Sequence, residues 1–177
     1  MRLRTNIAIA LLGAIFAGLT VTETLRAAGD KVAFPQNYAR GVLYWVQDRP
    51  LNKQVREYYT SKAAIDAVQN DKPIPSGTVI TVVQYNTQLD AAGNPVKGAN
   101  ERFIKTDIRG FTVMEKRTGW GADYAADVRN GEWEYQAFGA DKKPNAMADL
   151  NTCFACHKRQ ETQDFVYSIN NIRAPGQ

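Results

Sequence analysis

Both cysteines and the sole histidine of this 177-residue chain fall in one five-residue window, Cys153-Phe154-Ala155-Cys156-His157. Cys-x-x-Cys-His is the attachment signature of c-type haem. Each thiol can form a thioether with a haem vinyl group, and the adjacent imidazole can ligate the iron. The chemistry then belongs to an iron porphyrin, and the protein supplies orientation, access and electrostatics. Three other readings compete. A Cys-x-x-Cys disulfide suits an exported protein but leaves the neighbouring histidine without a role. A closed structural zinc site takes four Cys or His ligands, and the chain has three. Chance clustering would have to place every Cys and His of the chain in one window.

A single histidine also limits the sixth ligand, because bis-histidine ligation within the chain is excluded. None of the 20 residues after His157 is a methionine, so the downstream methionine of small electron-transfer cytochromes is missing. Met114 sits among apolar neighbours in a predicted strand and reads as core. Met147 lies just before the motif and reads as loop packing, with axial ligation as its alternative. The expectation is one covalent haem c, with His157 proximal and the distal side open or water-filled. Such a site binds or transforms a small molecule rather than only passing electrons.

The elements that must position this motif are legible as patterns. Gly41–Val46 and Val55–Thr60 are dense in β-formers and predict strands. Ser61 is placed to cap a short helix whose apolar face is Ala64, Ile65 and Val68, ending near Asn70. Thr78–Tyr85 is the strongest strand, and Asp90–Pro95 a turn. Phe103–Ile108 and Phe111–Glu115 read as two strand segments, and residues 118–131 as a loop. Trp133–Phe138 alternates, with Trp133, Tyr135 and Ala137 on one face. A helix over 152–168, capped by Asn151 or Thr152, puts Cys153, Cys156 and His157 at i, i+3 and i+4, on one face.

The N-terminus reads separately. Arg2 and Arg4 precede the uncharged, mostly apolar run Ile7–Val21. That is the pattern of a secretory signal over residues 1–28, with a single domain over 29–177. The 15-residue run is short for a membrane span. Cleavage after Ala28 would put Arg26 at the −3 position, so a retained N-terminal anchor is the alternative. Either way the domain is exported, which agrees with haem attachment outside the bacterial cytoplasm and gives a periplasmic location. The net charge is +4, and residues 29–177 carry 19 basic against 17 acidic side chains. That balance excludes nucleic acid as a partner and gives no reason for a membrane surface, unless the N-terminal segment is retained.

A haem motif near the C-terminus of a strand-rich chain excludes the four-helix cytochromes c-prime. The chain instead resembles the cytochrome P-460 family and its relative cytochrome c-prime-beta. The landmarks are Phe34-Pro35-Gln36-Asn37-Tyr38, Ile74-Pro75-Ser76-Gly77-Thr78-Val79-Ile80, and Val113-Met114-Glu115-Lys116-Arg117 followed by Gly119-Trp120-Gly121. Arg129-Asn130-Gly131-Glu132-Trp133-Glu134-Tyr135 and the terminal motif complete the set. The resemblance implies an α+β fold, with a mostly antiparallel five-stranded sheet, packed helices, and the haem c motif on the C-terminal helix. It also implies a homodimer and a five-coordinate haem bound by His157.

One branch of the family oxidises hydroxylamine and carries a lysine–porphyrin link. The other lacks the link and binds nitric oxide or carbon monoxide in an apolar, often aromatic pocket. The linking lysine corresponds to Val82, and its neighbours Thr81, Val83 and Gln84 are not lysine either. Lys105 is the nearest alternative on a strand, without a motif match. The resemblance therefore favours gas binding over hydroxylamine or nitric oxide oxidation, with plain electron transfer to a periplasmic redox partner a third reading. Asp149 lies near where some enzymatic members place a distal proton acceptor, with a helix cap or solvated loop as its alternative. Trp133 and Tyr135 either touch the haem or form plain core. Arg117 and Arg129 are candidates for the haem propionates, with surface arginine as the alternative.

Overall fold

A computed structural model describes residues 31–176. The signal segment expected over residues 1–28 lies outside the described residues. Five strands form one antiparallel sheet in the order β1-β2-β3-β4-β5, each beside its sequence neighbour. They are β1 (Val42–Arg49), β2 (Gln54–Thr60), β3 (Val79–Thr87), β4 (Lys105–Lys116) and β5 (Trp133–Gly139). Three α-helices accompany them: α1 (Lys62–Gln69), α2 (Leu150–Lys158) and α3 (Ile169–Arg173). The arrangement is the α+β class expected. No helix of the described residues is long and apolar enough to cross a membrane.

Strand alternation divides the side chains between two faces. One face packs against the helices through Tyr44, Tyr58, Ile80, Met114 and Tyr135, with Ile65 and Val68 of α1, Phe154 of α2 and Ile172 of α3. The other buries Val83, Phe111, Val113 and Phe138 under the incoming segment with Val32, Phe34 and Tyr38. Ser61 caps α1, its hydroxyl accepting from the Ala64 amide at 3.2 Å. Ala64, Ile65 and Val68 are buried as their spacing predicts.

Three sequence expectations change. The segments expected at 103–108 and 111–115 merge from Lys105 onward into one strand, β4, with a register irregularity opposite Gln84 and Tyr85, while Phe103 makes an isolated bridge with Lys97. Gly110 continues the strand rather than breaking it. A Cβ there would lie 2.7 Å from the Phe138 carbonyl oxygen, so glycine is what lets β5 pair closely. The helix expected over 152–168 stops at Lys158, and a 3₁₀ turn (Glu161–Gln163) and α3 follow. Its N-cap is Asp149, not Asn151 or Thr152.

Both sheet edges are occupied by irregular chain. On β1, the Val46 carbonyl accepts from Arg102 at 2.7 Å, and the Tyr44 carbonyl from the Gly176 amide at 3.1 Å. On β5, Gly139 and Asn145 hydrogen-bond with Lys143 and Ala137, and Pro144 bridges to Phe138.

Candidate haem site

Cys153, Cys156 and His157 lie on α2, which starts where the Asp149 carboxylate accepts from the Asn151 amide and the Thr152 hydroxyl, each at 3.0 Å. Phe154 anchors the helix, packing edge-on against Tyr135 of β5 at 4.8 Å between ring centres and against Tyr124 at 5.0 Å. Asn130, 1 % exposed, fastens the same junction. Its amide nitrogen donates to the Tyr135 hydroxyl and to the Phe154 carbonyl, both at 3.0 Å.

The His157 ring rests against Tyr135 at 4.7 Å and Tyr167 at 5.3 Å. Its Nδ1 lies 2.6 Å from the Phe165 carbonyl oxygen. A carbonyl can only accept, so Nδ1 carries the proton and Nε2 keeps its lone pair. Burial pushes the imidazolium form down, outweighing the Phe165 hydrogen bond that favours it. The result is a neutral imidazole with a fixed tautomer, the state an iron ligand requires.

The Phe165 carbonyl is aimed by an unusual bend. Asp164 and Phe165 are successive residues in left-handed conformation, at φ 51° and 60°, which is rare for a bulky residue such as phenylalanine. The sheet holds the bend in place. The Asp164 carboxylate accepts from Lys116 at 2.6 Å and from the Trp133 indole at 3.3 Å. Two left-handed residues here bar a continuous helix from running on to Ser168.

Neither cysteine is in a disulfide. Cys153 is half-buried against the core, and burial, then Cys156 and Asp149, push its thiol up. Cys156 is exposed, with its Sγ 3.3 Å from the Tyr167 hydroxyl, which donates to the Cys156 carbonyl at 3.0 Å. Among the described residues, no group of three or more His, Cys, Asp or Glu side chains is placed to hold a metal ion.

The strand register shows what lies beside the motif. Across the helix-covered face runs the row Thr60–Ile80–Met114–Tyr135, buried beneath the helices. One step along the strands is Trp45–Tyr58–Val82–Thr112–Ala137, half-buried apart from the buried Tyr58. This second row is a mostly apolar strip left partly open next to the strand against which His157 packs. Val82 lies in its centre.

The remaining candidates separate. Met114 is core, as expected, whereas Met147 is 92 % exposed. Lys105 sits on the opposite face, paired with Glu57 and over the Tyr85 ring. Arg117 pairs with Glu115 at 2.6 Å, and Arg129 with Glu132 at 2.9 Å. Trp133 and Tyr135 are both core, and Tyr135 also touches His157. A cleft of about 440 Å³ lies between Phe154, Ala155 and Lys158 and the chain at Tyr124–Val128. Those helix residues face away from Cys153, Cys156 and His157.

Unpaired thiols, a neutral histidine with Nε2 free and an apolar strip beside it fit a haem. The family model for Cytochrome P460 matches residues 35–168, most of the chain. The chain belongs to the cytochrome P460 family. As a cytochrome P460 family member it is a haem protein, and its motif is of the c type. No curated protein matches the chain. Of the residues that complete the histidine's surroundings, Asn130 stood within a family landmark, whereas Asp164, Phe165 and Tyr167 fell inside the helix expected over 152–168 and carried no signal of their own.

Proposed function

We propose that this member of the family is an exported, mono-haem c-type cytochrome that binds nitric oxide or a similar diatomic ligand at an open iron position. Cys153 and Cys156 would hold the porphyrin covalently, and His157 would ligate the iron through Nε2. When bound, the haem supplies one coordination position for a small ligand. This chain's residues orient the histidine, fix its proton on Nδ1 and present an apolar surface that disfavours water and anions.

The observation that carries this reading is the composition of the strip. Trp45, Val82, Thr112 and Ala137 bring no imidazole, thioether or amine. Tyr58 donates its hydroxyl to Gln47 at 2.9 Å, and burial raises its phenol above the ordinary value. Val82, where the lysine-linked relatives carry their amine, argues against a third bond to the porphyrin. The alternative is oxidation of hydroxylamine or nitric oxide with Asp149 as proton acceptor. Both oxygens of that carboxylate are engaged in capping α2, which favours binding over turnover. An electron carrier using Met147 would need that exposed side chain to be drawn inward.

Export is supported by the charged-then-apolar N-terminus and by the motif's chemistry, and a homodimer by the family likeness. Absorption spectra of the purified holoprotein test the reading. A high-spin reduced form whose spectrum changes on adding nitric oxide is expected. A six-coordinate low-spin spectrum indifferent to nitric oxide would overturn it, and steady hydroxylamine turnover would favour the oxidase.

A further inference from the structure

The open strip has a charged neighbour. Arg56 lies one step along β2 from Tyr58, on the same sheet face, between Gln47 and Gln84 on the adjoining strands. Its Nε is buried without a hydrogen-bond partner. One terminal nitrogen makes only a long contact, 3.4 Å, to the amide oxygen of Gln54. The guanidinium also acts on the Tyr58 phenol, by its charge and by a side-chain hydrogen bond. No carboxylate among the described residues forms an ion pair with it: Glu57, next in sequence, points to the other face and pairs with Lys105. The groups around Arg56 on this face are Gln47, Gln54, Tyr58 and Gln84, which are uncharged when the phenol is protonated, and a second cation, Arg49, opposite Gln54. A half-buried guanidinium with an unused Nε edge and no counter-charge is costly unless an anion completes it. That edge presents parallel N–H donors matched to a carboxylate or a planar oxyanion.

We propose that Arg56 is an anion anchor at the margin of the haem strip, the role that Arg117 and Arg129 are too engaged to fill. The chemistry it recognises is a two-oxygen anion, supplied by a haem propionate or by a small free oxyanion entering the open side. The inference rests on the haem reading of the motif, and the test separates the two. Covalent haem is first verified in the wild-type holoprotein by its denatured absorption spectrum, and absence of haem there defeats the haem reading rather than this one.

Arg56→Gln and Arg56→Lys are then compared with wild type by reduction potential and by nitrite titration of the oxidised protein. Lysine keeps the charge and removes the fork, so it remains informative if the glutamine variant folds poorly. If a propionate is the anion, Arg56→Gln lowers the potential, because uncompensated negative charge stabilises the oxidised iron, and nitrite affinity is unchanged. If the anion is external, nitrite binding weakens by about 30-fold or more, and the potential stays near wild type. Unchanged potential and unchanged nitrite affinity in both variants would overturn the proposal.

Discussion

Asp164 offers the sharpest lever on the candidate site, because it controls a backbone carbonyl that cannot itself be mutated. Its carboxylate holds the bend at Asp164–Phe165 against Lys116 and Trp133, and that bend points the Phe165 oxygen at His157 Nδ1. Asp164→Asn keeps a side chain that tolerates left-handed backbone and retains an oxygen for Trp133, but removes the charge facing Lys116. The Lys116 and Asp164 side chains are 15 % and 32 % exposed, between a surface pair and a buried one. Surface pairs contribute about 0–1 kcal/mol and charged hydrogen bonds about 1.5–3, so a loss of about 1–2 kcal/mol is expected. Asp164→Ala adds roughly 1–2 kcal/mol of left-handed strain and the lost indole contact, for a total of about 3 kcal/mol.

Urea unfolding of the holoprotein measures both losses, and proton NMR of the single histidine reports its Nδ1–H bond. The expected order is wild type, then Asn, then Ala, with the histidine signal shifted most in Ala. Equal stabilities for Asn and Ala, or an Ala variant with an unmoved histidine signal, would refute the argument that the bend is held from the sheet.

Three further outcomes follow from the structure. Asn130→Ala leaves the Tyr135 hydroxyl and the Phe154 carbonyl without their shared donor, and should cost about 1–3 kcal/mol in urea unfolding. Gly121→Ala places a Cβ 1.9 Å from the Gly131 carbonyl oxygen; backbone cannot yield as a side-chain tip can, so thermal unfolding should drop by several degrees or the protein should fail to accumulate. Glu57 is raised by burial but lowered more by hydrogen bonds from Lys105, Tyr59 and Tyr85, leaving its folded pKa below the ordinary 4.5. Its stabilisation is therefore present above that value and lost as pH falls through the folded pKa. Glu57→Gln should flatten this acid limb in a pH series of urea midpoints, and an unchanged slope would remove Glu57 as its source.

What could be read from the sequence follows the range of the forces involved. Strands at Val42, Gln54, Val79 and Trp133 announce themselves through β-formers and alternation, and Ser61 through the local logic of capping. The Cys-x-x-Cys-His window is legible because its meaning lies in spacing along a single helix turn. What was hidden depends on partners far away in sequence. No proline or glycine marks the end of α2 at Lys158, and the left-handed bend that bars a helix from running on to Ser168 is held by Lys116 and Trp133 gripping Asp164. Gly110 looks like a breaker until Phe138 is known to pass beside it. Arg117 and Arg129 look available until Glu115 and Glu132 are placed against them, whereas Arg56 attracts no notice until no carboxylate is found paired with it among the described residues.

The occupied sheet margins bear on how two copies of this chain could meet. A meander of nearest neighbours leaves two outer strands, each able to recruit a strand from another molecule. Here Arg102 and the Gly176 amide already take carbonyls of β1, and the turn through Pro144 lies along β5. A second chain cannot lengthen the sheet without displacing these contacts, so self-association has to proceed through broad surfaces or loops. The same plugging works against runaway strand addition between folded copies of the chain.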